Sequence, residues 1–195
     1  MAVTDWFGAG EALALRGAGV TLRAPRMSDF ATWQTLRSES RAFLQPWEPT
    51  WPADDLTRAA FRRRLSLYAR DRDLGTGYAF FVFDEASALT GGINLRNITR
   101  GVAQSGAIGY WAGERFARRG HTLAAVQALT RFAFRDLELH RIEASCCTDN
   151  APSRALLLKA GFEEEGIARS YLKINGNWRD HRLFGLIGDG SDTAT

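Results

Sequence analysis

The hydrophobic periodicities along this chain predict a mixed α/β fold, a largely antiparallel sheet with helices on its faces. Two patterns carry that reading. Between Gly120 and Leu137, the residues Leu123, Val126, Thr130, Ala133 and Leu137 recur at three- and four-residue intervals, the mark of one long helix. Before and after it lie runs too short for helices, rich in aromatic and branched residues and bounded by Gly or Asp, the mark of strands. With 195 residues, 45% of them hydrophobic, the chain is long enough for one domain with a sizeable core. Residues 1–187 are read as that single domain and 188–195, all Gly, Asp, Ser, Thr or Ala, as a fraying tail.

Taken in order, Leu13 to Leu15 and Val20 to Arg23 read as a strand pair divided by Gly17 and Gly19, and Pro25 ends it. Ser28 precedes a helical stripe of Phe30, Trp33 and Leu36. A second stripe, Phe61, Leu65 and Tyr68, follows the proline-rich stretch Pro46 to Pro52. Tyr78 to Phe83, Gly91 to Leu95 and Ala107 to Trp111 read as three successive antiparallel strands, and the long helix comes next. Arg141 to Cys147 alternates Ile142, Ala144 and Cys146 with polar residues, so it is a half-buried strand. Thr148, Asp149 and Asn150 offer capping side chains to a helix over Ala151 to Ala160, closed by Gly161. Phe162 to Ile174 and Trp178 to Leu186 flank Asn175-Gly176, a dipeptide suited to a tight hairpin.

Composition narrows the function. No apolar run reaches the ~20 residues of a membrane span, and Met1 to Leu15 has neither a basic start nor a long apolar stretch, which points to the cytoplasm. Cys146 and Cys147 are adjacent and face opposite sides of a strand, so they do not bridge. His121, His140 and His181 are scattered without zinc-site spacing, and no metal is expected. The 25 basic residues against 22 acidic ones leave +3, too small an excess to indicate nucleic-acid binding.

The chemically informative segment is Tyr110 to Thr122, a strand, a basic turn with Gly, and then the long helix. A turn entering a helix N-terminus gathers free N–H groups and partial positive charge, which suits a pyrophosphate. Neither GxGxxG nor a Walker lysine is present. The segments RAFLQPWEP (41–49), IGYWAGERFARRGHT (108–122), LELHRIEASCCTDNAPSRALLLKAGFEEEG (137–166) and ARSYLKINGNWRDHRLFG (168–185) together resemble the GNAT superfamily of acetyl-CoA-dependent N-acetyltransferases, within it the RimJ/RimL type, with the last two nearest to RimJ. The family loop is usually Gln or Arg, two residues, Gly, one residue, then Gly or Ala. Here Ala117, Gly120 and Thr122 stand there, so only the central glycine matches.

That resemblance implies the GNAT fold, in which the strand Ile108 to Trp111 carries a bulge and splays from Arg141 to Cys147, leaving a slot for the pantetheine arm of acetyl-CoA. It implies cofactor contacts from Tyr110, Trp111, Ala112, Arg118, Arg119, Gly120, His121, Thr122, Asn150 and Ser153, with a backbone N–H near Trp111 or Ala112 at the thioester oxygen. It implies Glu165 as the base and Ser153 as the proton donor to the leaving thiolate, with Glu48 and Tyr171 as second candidates. The partner implied is a protein N-terminus, that of a small-subunit ribosomal protein beginning with alanine. Other readings of the same residues stand beside these. Glu163 to Glu165 can be a solvated strand edge, Asn150 and Ser153 simple helix caps, Arg118 and Arg119 surface charge, and His140 a structural residue. Trp47 and Trp51 lean toward an acceptor site, and the cysteines receive no chemistry. The acceptor can equally be a small amine or a lysine side chain, and a non-catalytic acyl-CoA-binding module is the remaining alternative.

Overall fold

Strand alternation and one strongly amphipathic helix set the architecture of the computed structural model, which describes residues 13–188. Eight strands, β1 (Ala14–Gly17), β2 (Val20–Arg23), β3 (Tyr78–Asp84), β4 (Leu89–Thr99), β5 (Ser105–Ala112), β6 (Arg141–Cys147), β7 (Glu163–Ile174) and β8 (Asn177–Ile187), form one sheet in the order β1-β2-β3-β4-β5-β6-β8-β7. Every neighbouring pair is antiparallel except β5 and β6. The helices are α1 (Phe30–Glu39), the single turn α2 (Arg41–Leu44), α3 (Arg58–Asp73), α4 (His121–Arg135) and α5 (Ala151–Lys159). The expected tail after Gly188 and the start of the chain before Leu13 lie outside the described residues.

The two faces of the sheet bury separate clusters. On one, Val126, Leu129, Phe132 and Ala133 of α4 and Leu157 of α5 pack against Leu22, Phe80, Ile93, Leu95, Ile142, Ala144 and Phe184. On the other, Trp33 and Leu36 of α1 and Phe61 of α3 pack against Phe81 and Leu89, with Trp111 at the margin. Burying a side chain of the Leu or Phe class contributes about 1.5–3 kcal/mol, and the period of α4 places its apolar residues on the sheet side. Nearly every predicted element is present within a few residues. The start of α1 differs: Ser28 lies inside a short 3-10 turn, Met27–Asp29, and Asp29 takes the cap position. The carboxylate of Asp29 instead accepts the Arg26 N–H (2.7 Å) and two bonds from Arg23 (2.7 and 2.8 Å), joining the end of β2 to the helix start.

Two elements bear directly on the site. The hairpin between β7 and β8 turns on Asn175 and Gly176 with φ of 44° and 83°, the left-handed pair that the dipeptide favours. Its tip is tied to the loop after α2, since Asn175 donates its N–H to the Glu48 carbonyl (2.9 Å) and Gln45 Nε2 bonds Asn175 Oδ1 (3.2 Å). The irregularity expected in Ile108 to Trp111 is elsewhere. Those residues pair in unbroken register with β4, and the extra residue sits on β4 between Arg96 and Thr99, where Asn97 has φ of 53°. β5 leaves its pairing with β6 after Ala107 while its register with β4 stays unbroken to Ala112.

Asp29 provides a pH-dependent check on this fold. Burial pushes its carboxyl up, but the bonds from Arg23 and Arg26 and the charges of both outweigh that and leave it below the usual carboxylate range. A lowered folded pKa contributes stability above the unfolded value of about 3.9 and loses it as pH falls through the folded one. Asp29→Asn is expected to lose about 1–3 kcal/mol at pH 7 and to show a shallower acid limb in urea midpoints measured from pH 7 to pH 2.

Candidate active site

Parallel pairing between β5 and β6 lasts for three residue pairs, Ser105 with Arg141, Gly106 with Ile142 and Ala107 with Glu143. Beyond them Ile108–Ala112 and Ala144–Cys147 continue without pairing each other, so the sheet opens as a V toward their C-terminal ends. Peptide groups of a strand point alternately to its two sides. In β5 one set bonds β4 and the other set faces the slot. A main chain with free amide donors and acceptors along an open groove suits an extended ligand that itself carries amides.

Side chains close the floor of the slot on the α4–α5 face. Tyr110 of β5 and Ser153 of α5 meet at 2.8 Å between Oη and Oγ. Asn150 caps α5 by accepting the Ser153 N–H through Oδ1 (3.1 Å), which holds Ser153 at the first turn with Pro152 before it. The Cys146 thiol of β6 lies beside Ser153. Burial pushes the Tyr110 phenol well above its ordinary value, with the Ser153 bond opposing, and burial likewise pushes the Cys146 thiol up. Both stay protonated at neutral pH.

At the wide end of the slot, the chain leaves β5 through Gly113 and a short 3-10 turn and enters α4 at Gly120. Gly120 has φ of 85°, a conformation that costs a glycine nothing, and Arg118 is left-handed as well. The first intrahelical bond runs from the Ala124 N–H to the Gly120 carbonyl, so the N–H groups of Gly120 to Leu123 have no intrahelical partner. No side chain caps them. Arg118 and Arg119 are exposed beside them. His121 points its ring inward: Nδ1 is buried without a partner, beside a cavity of about 10 Å³ that Gly91, Trp111, Ala112 and Thr122 also line. Its ring lies against Phe116 of the turn before α4, with centroids 6.4 Å apart.

The opposite face of the slot holds a different constellation. Arg37 of α1, 5% exposed, grips both oxygens of Glu48 (2.7 and 2.6 Å) and lies 4.2 Å from the Trp51 ring and 4.9 Å from the Trp111 ring. Trp51 Nε1 donates to Glu48 as well (2.7 Å). Beyond them Cys147 Sγ lies 3.5 Å from His181 Nε2, whose Nδ1 bonds the Arg179 carbonyl (2.9 Å), and Tyr171 meets the His181 ring edge-on.

Residues 20–163 match the family description "Acetyltransferase (GNAT) domain". The chain belongs to the GNAT acetyltransferase family. It is 33% identical to "Probable N-acetyltransferase YjcK" of Bacillus subtilis, covering 89% of this chain and 96% of that one, and 34% identical to the "[Ribosomal protein uS5]-alanine N-acetyltransferase" of Escherichia coli, covering 76% and 77%. Among solved structures, "Mycobacterium smegmatis RimJ in complex with CoA-disulfide" superposes with a TM-score of 0.85 at 31% identity, covering 94% of this chain and 90% of that one. The ribosomal-protein-S5-alanine acetyltransferase of Vibrio fischeri superposes at 0.84 with 29% identity, covering 91% and 98%. This GNAT protein is therefore an acetyltransferase of the RimJ/RimL type.

The site residues read from the sequence divide into two groups. Tyr110, Ser153 and Asn150 meet at the slot floor, and Trp111 and Ala112 end the free strand, with Arg118 to Thr122 following at the wide end. Glu165 does not join them. Its carboxylate is held by both terminal nitrogens of Arg141, Nη1 at 2.8 Å, against Gly185 at the paired end of β6. Arg141 and Cys146 are five residues apart on β6, roughly 16 Å of strand. Hydrogen bonds from Arg141 also hold the Glu165 carboxyl below the usual carboxylate range, which weakens it as a base. Glu48 is occupied by Arg37 and Trp51, and Tyr171 contacts His181, on the face opposite Ser153. Trp51 packs on Arg37 and Trp47 is half-buried.

Sequence reasoning missed Arg37 and the Cys147–His181 contact. A signal for Arg37 existed: Trp33, Leu36 and Arg37 are spaced i, i+3, i+4, so the arginine shares the buried face of α1 and requires a partner there. Nothing comparable points to His181. Arg37→Ala, which leaves Glu48 and two indoles unpartnered, is expected to destabilise the protein by about 3–5 kcal/mol, read as a lower urea midpoint with altered tryptophan emission. Arg37→Lys is expected to recover less than half of that, since an ammonium lacks the planar fork.

Proposed function

We propose that this protein moves the acetyl group of acetyl-CoA directly to the α-amine at a protein N-terminus, that of a small-subunit ribosomal protein beginning with alanine. The observation that carries the reading is the β5–β6 slot, with free main-chain groups along one wall, the Tyr110–Ser153 pair on its floor and an uncapped helix N-terminus at its wide end. The acceptor class is supported by the relatives whose names state uS5-alanine or S5-alanine acetylation.

In this reading the N–H groups of Gly120 to Leu123, with Arg118 and Arg119, hold the pyrophosphate. The free peptide groups of Ile108–Ala112 hold the pantetheine arm, and an N–H near Trp111 or Ala112 donates to the thioester oxygen as charge grows there. The amine nitrogen bonds the acetyl carbon, and the C–S bond breaks with its electron pair passing to sulfur. A thiol has a pKa of about 8.5 and an alkyl alcohol is a far weaker acid. Ser153 accordingly stabilises the leaving sulfur by donating a hydrogen bond while keeping its proton. The proton lost by the amine goes to water, and the thiolate takes one from water.

A strong protein base is not required. An α-amine of pKa about 7.7–8.0 is roughly one tenth neutral at pH 7, whereas a lysine amine near 10.4 is neutral in well under one molecule per thousand. A site that captures the neutral amine thus favours N-termini over lysines by its acid–base chemistry alone. Glu165, held by Arg141, has no part in this reading.

Mass spectrometry tests it, after incubation with acetyl-CoA of an Ala-initiated ribosomal N-terminal peptide and of the same peptide blocked at its α-amine but carrying a free lysine. Modification of the first peptide alone is expected; modification of the blocked peptide, or of neither, would overturn the acceptor. Glu165→Gln is expected to keep kcat within about threefold, and kcat/KM should rise with pH to a plateau that follows the pKa of the peptide amine. A hundredfold loss in Glu165→Gln would reinstate that carboxylate as the base. Ser153→Ala is expected to lower kcat by roughly 10- to 100-fold.

A further inference from the structure

We infer that Tyr110 is a positioning residue for acetyl transfer, whose phenol fixes the direction of the Ser153 hydroxyl and so aims its proton into the slot at the sulfur of the acetyl donor. The inference rests on the reading of Ser153 given above. It follows from a count of donors and acceptors. Tyr110 Oη and Ser153 Oγ stand 2.8 Å apart, and either could donate. Ser153 is the one hydrogen-bond partner of the Tyr110 hydroxyl among the described residues. Ser153 Oγ has a second neighbour in the Cys146 thiol.

If Ser153 donated to Tyr110, the phenol proton would be left without a protein acceptor at a half-buried position, and an unmade hydrogen bond there is costly. If Tyr110 donates, the phenol proton is used on Ser153 Oγ and the serine proton is left to point at a sulfur. A serine hydroxyl has one proton and room for two incoming bonds, so accepting from Tyr110 leaves its own proton free to point elsewhere. In the proposed reaction the thioester sulfur in the slot is the acceptor for that proton.

Other degrees of freedom at Ser153 are already removed. Asn150 holds its main-chain N–H, and Pro152 stiffens the preceding residue. What remains is the hydroxyl rotor, and Tyr110 sets it. The phenol is a fixed donor because burial keeps it protonated far above neutral pH. During transfer the bond made is carbon to nitrogen and the bond broken is carbon to sulfur. Tyr110 and Ser153 end with the protons they began with, and no group is oxidised or reduced.

The test is a double-mutant cycle of the full chain, Tyr110→Phe, Ser153→Ala and both together, assayed with acetyl-CoA and an Ala-initiated peptide, with CoA affinity measured by calorimetry. Tyr110→Phe is expected to lower kcat about tenfold while KM for acetyl-CoA and CoA affinity stay within about twofold. In the Ser153→Ala background the same substitution is expected to change kcat by less than about twofold. Equal losses in both backgrounds, or a loss of CoA affinity matching the loss of kcat, would assign Tyr110 to packing and overturn the inference. A silent Tyr110→Phe beside a slow Ser153→Ala would overturn the inference alone, whereas a silent Ser153→Ala would overturn the reading of Ser153 and the inference with it. If Tyr110→Phe does not fold, 3-fluorotyrosine placed at position 110 keeps the ring and hydroxyl and changes the acidity. It is expected to shift kcat only when Ser153 is present, and a shift of the same size without Ser153 counts against the inference.

Discussion

The interruption of pairing between β5 and β6 after Ala107 and Glu143 is the constraint on which the remaining structure depends. A sheet gains by pairing every strand along its length, and unpaired peptide groups in a half-buried groove are costly to leave without partners. Here β5 is satisfied on one side by unbroken pairing with β4, and β6 is satisfied by seven residue pairs with β8. Each strand is anchored to a different half of the sheet, so the gap between them stays open without strain in either. The freed groups then belong to whatever fills the gap.

Both faces of the sheet reinforce that opening. On the α4–α5 side, the Tyr110–Ser153 contact bridges the two arms at the level of their side chains, and Cys146 joins from β6. On the other side, Arg37 gathers Glu48, Trp51 and Trp111, which fixes the loop after α2 against the end of β5. The β7–β8 hairpin is attached to the same loop through Asn175. A buried guanidinium is tolerated because both oxygens of Glu48 answer it and two indole faces cover it. The Arg37 face of the slot is therefore held by charge and stacking, while the α4–α5 face is held by apolar packing.

The carboxylates of the run Glu163 to Glu165 show how position overrides composition. Glu164 is shared between Arg154 and Arg182, and Glu165 is held by Arg141. These pairs line the start of β7, the edge of the sheet, where one irregularity of register occurs between Glu164 and Gly166, with a second further along between Ala168 and Leu172. Charges and bulges at an edge discourage pairing with another chain. This row of carboxylates lies along an edge beside arginines, because its strand enters the sheet at the paired end of the V and not at its mouth.

Local pattern was enough for most of the architecture. The spacing of Leu123, Val126 and Ala133 determined α4, Asn150 determined the start of α5, and Asn175-Gly176 determined the final turn, since each depends on neighbours within a few residues. Gly120 was legible for the same reason, as the backbone must turn left-handed where the loop enters the helix. The roles of charged residues were not legible. Whether Glu165 faces a substrate or Arg141, whether Glu48 is free or clamped by Arg37, and which hydroxyl meets Ser153 all depend on contacts between residues 11 to 43 positions apart. Such contacts are set by strand order and register, and a charge is free or neutralised only once those are decided.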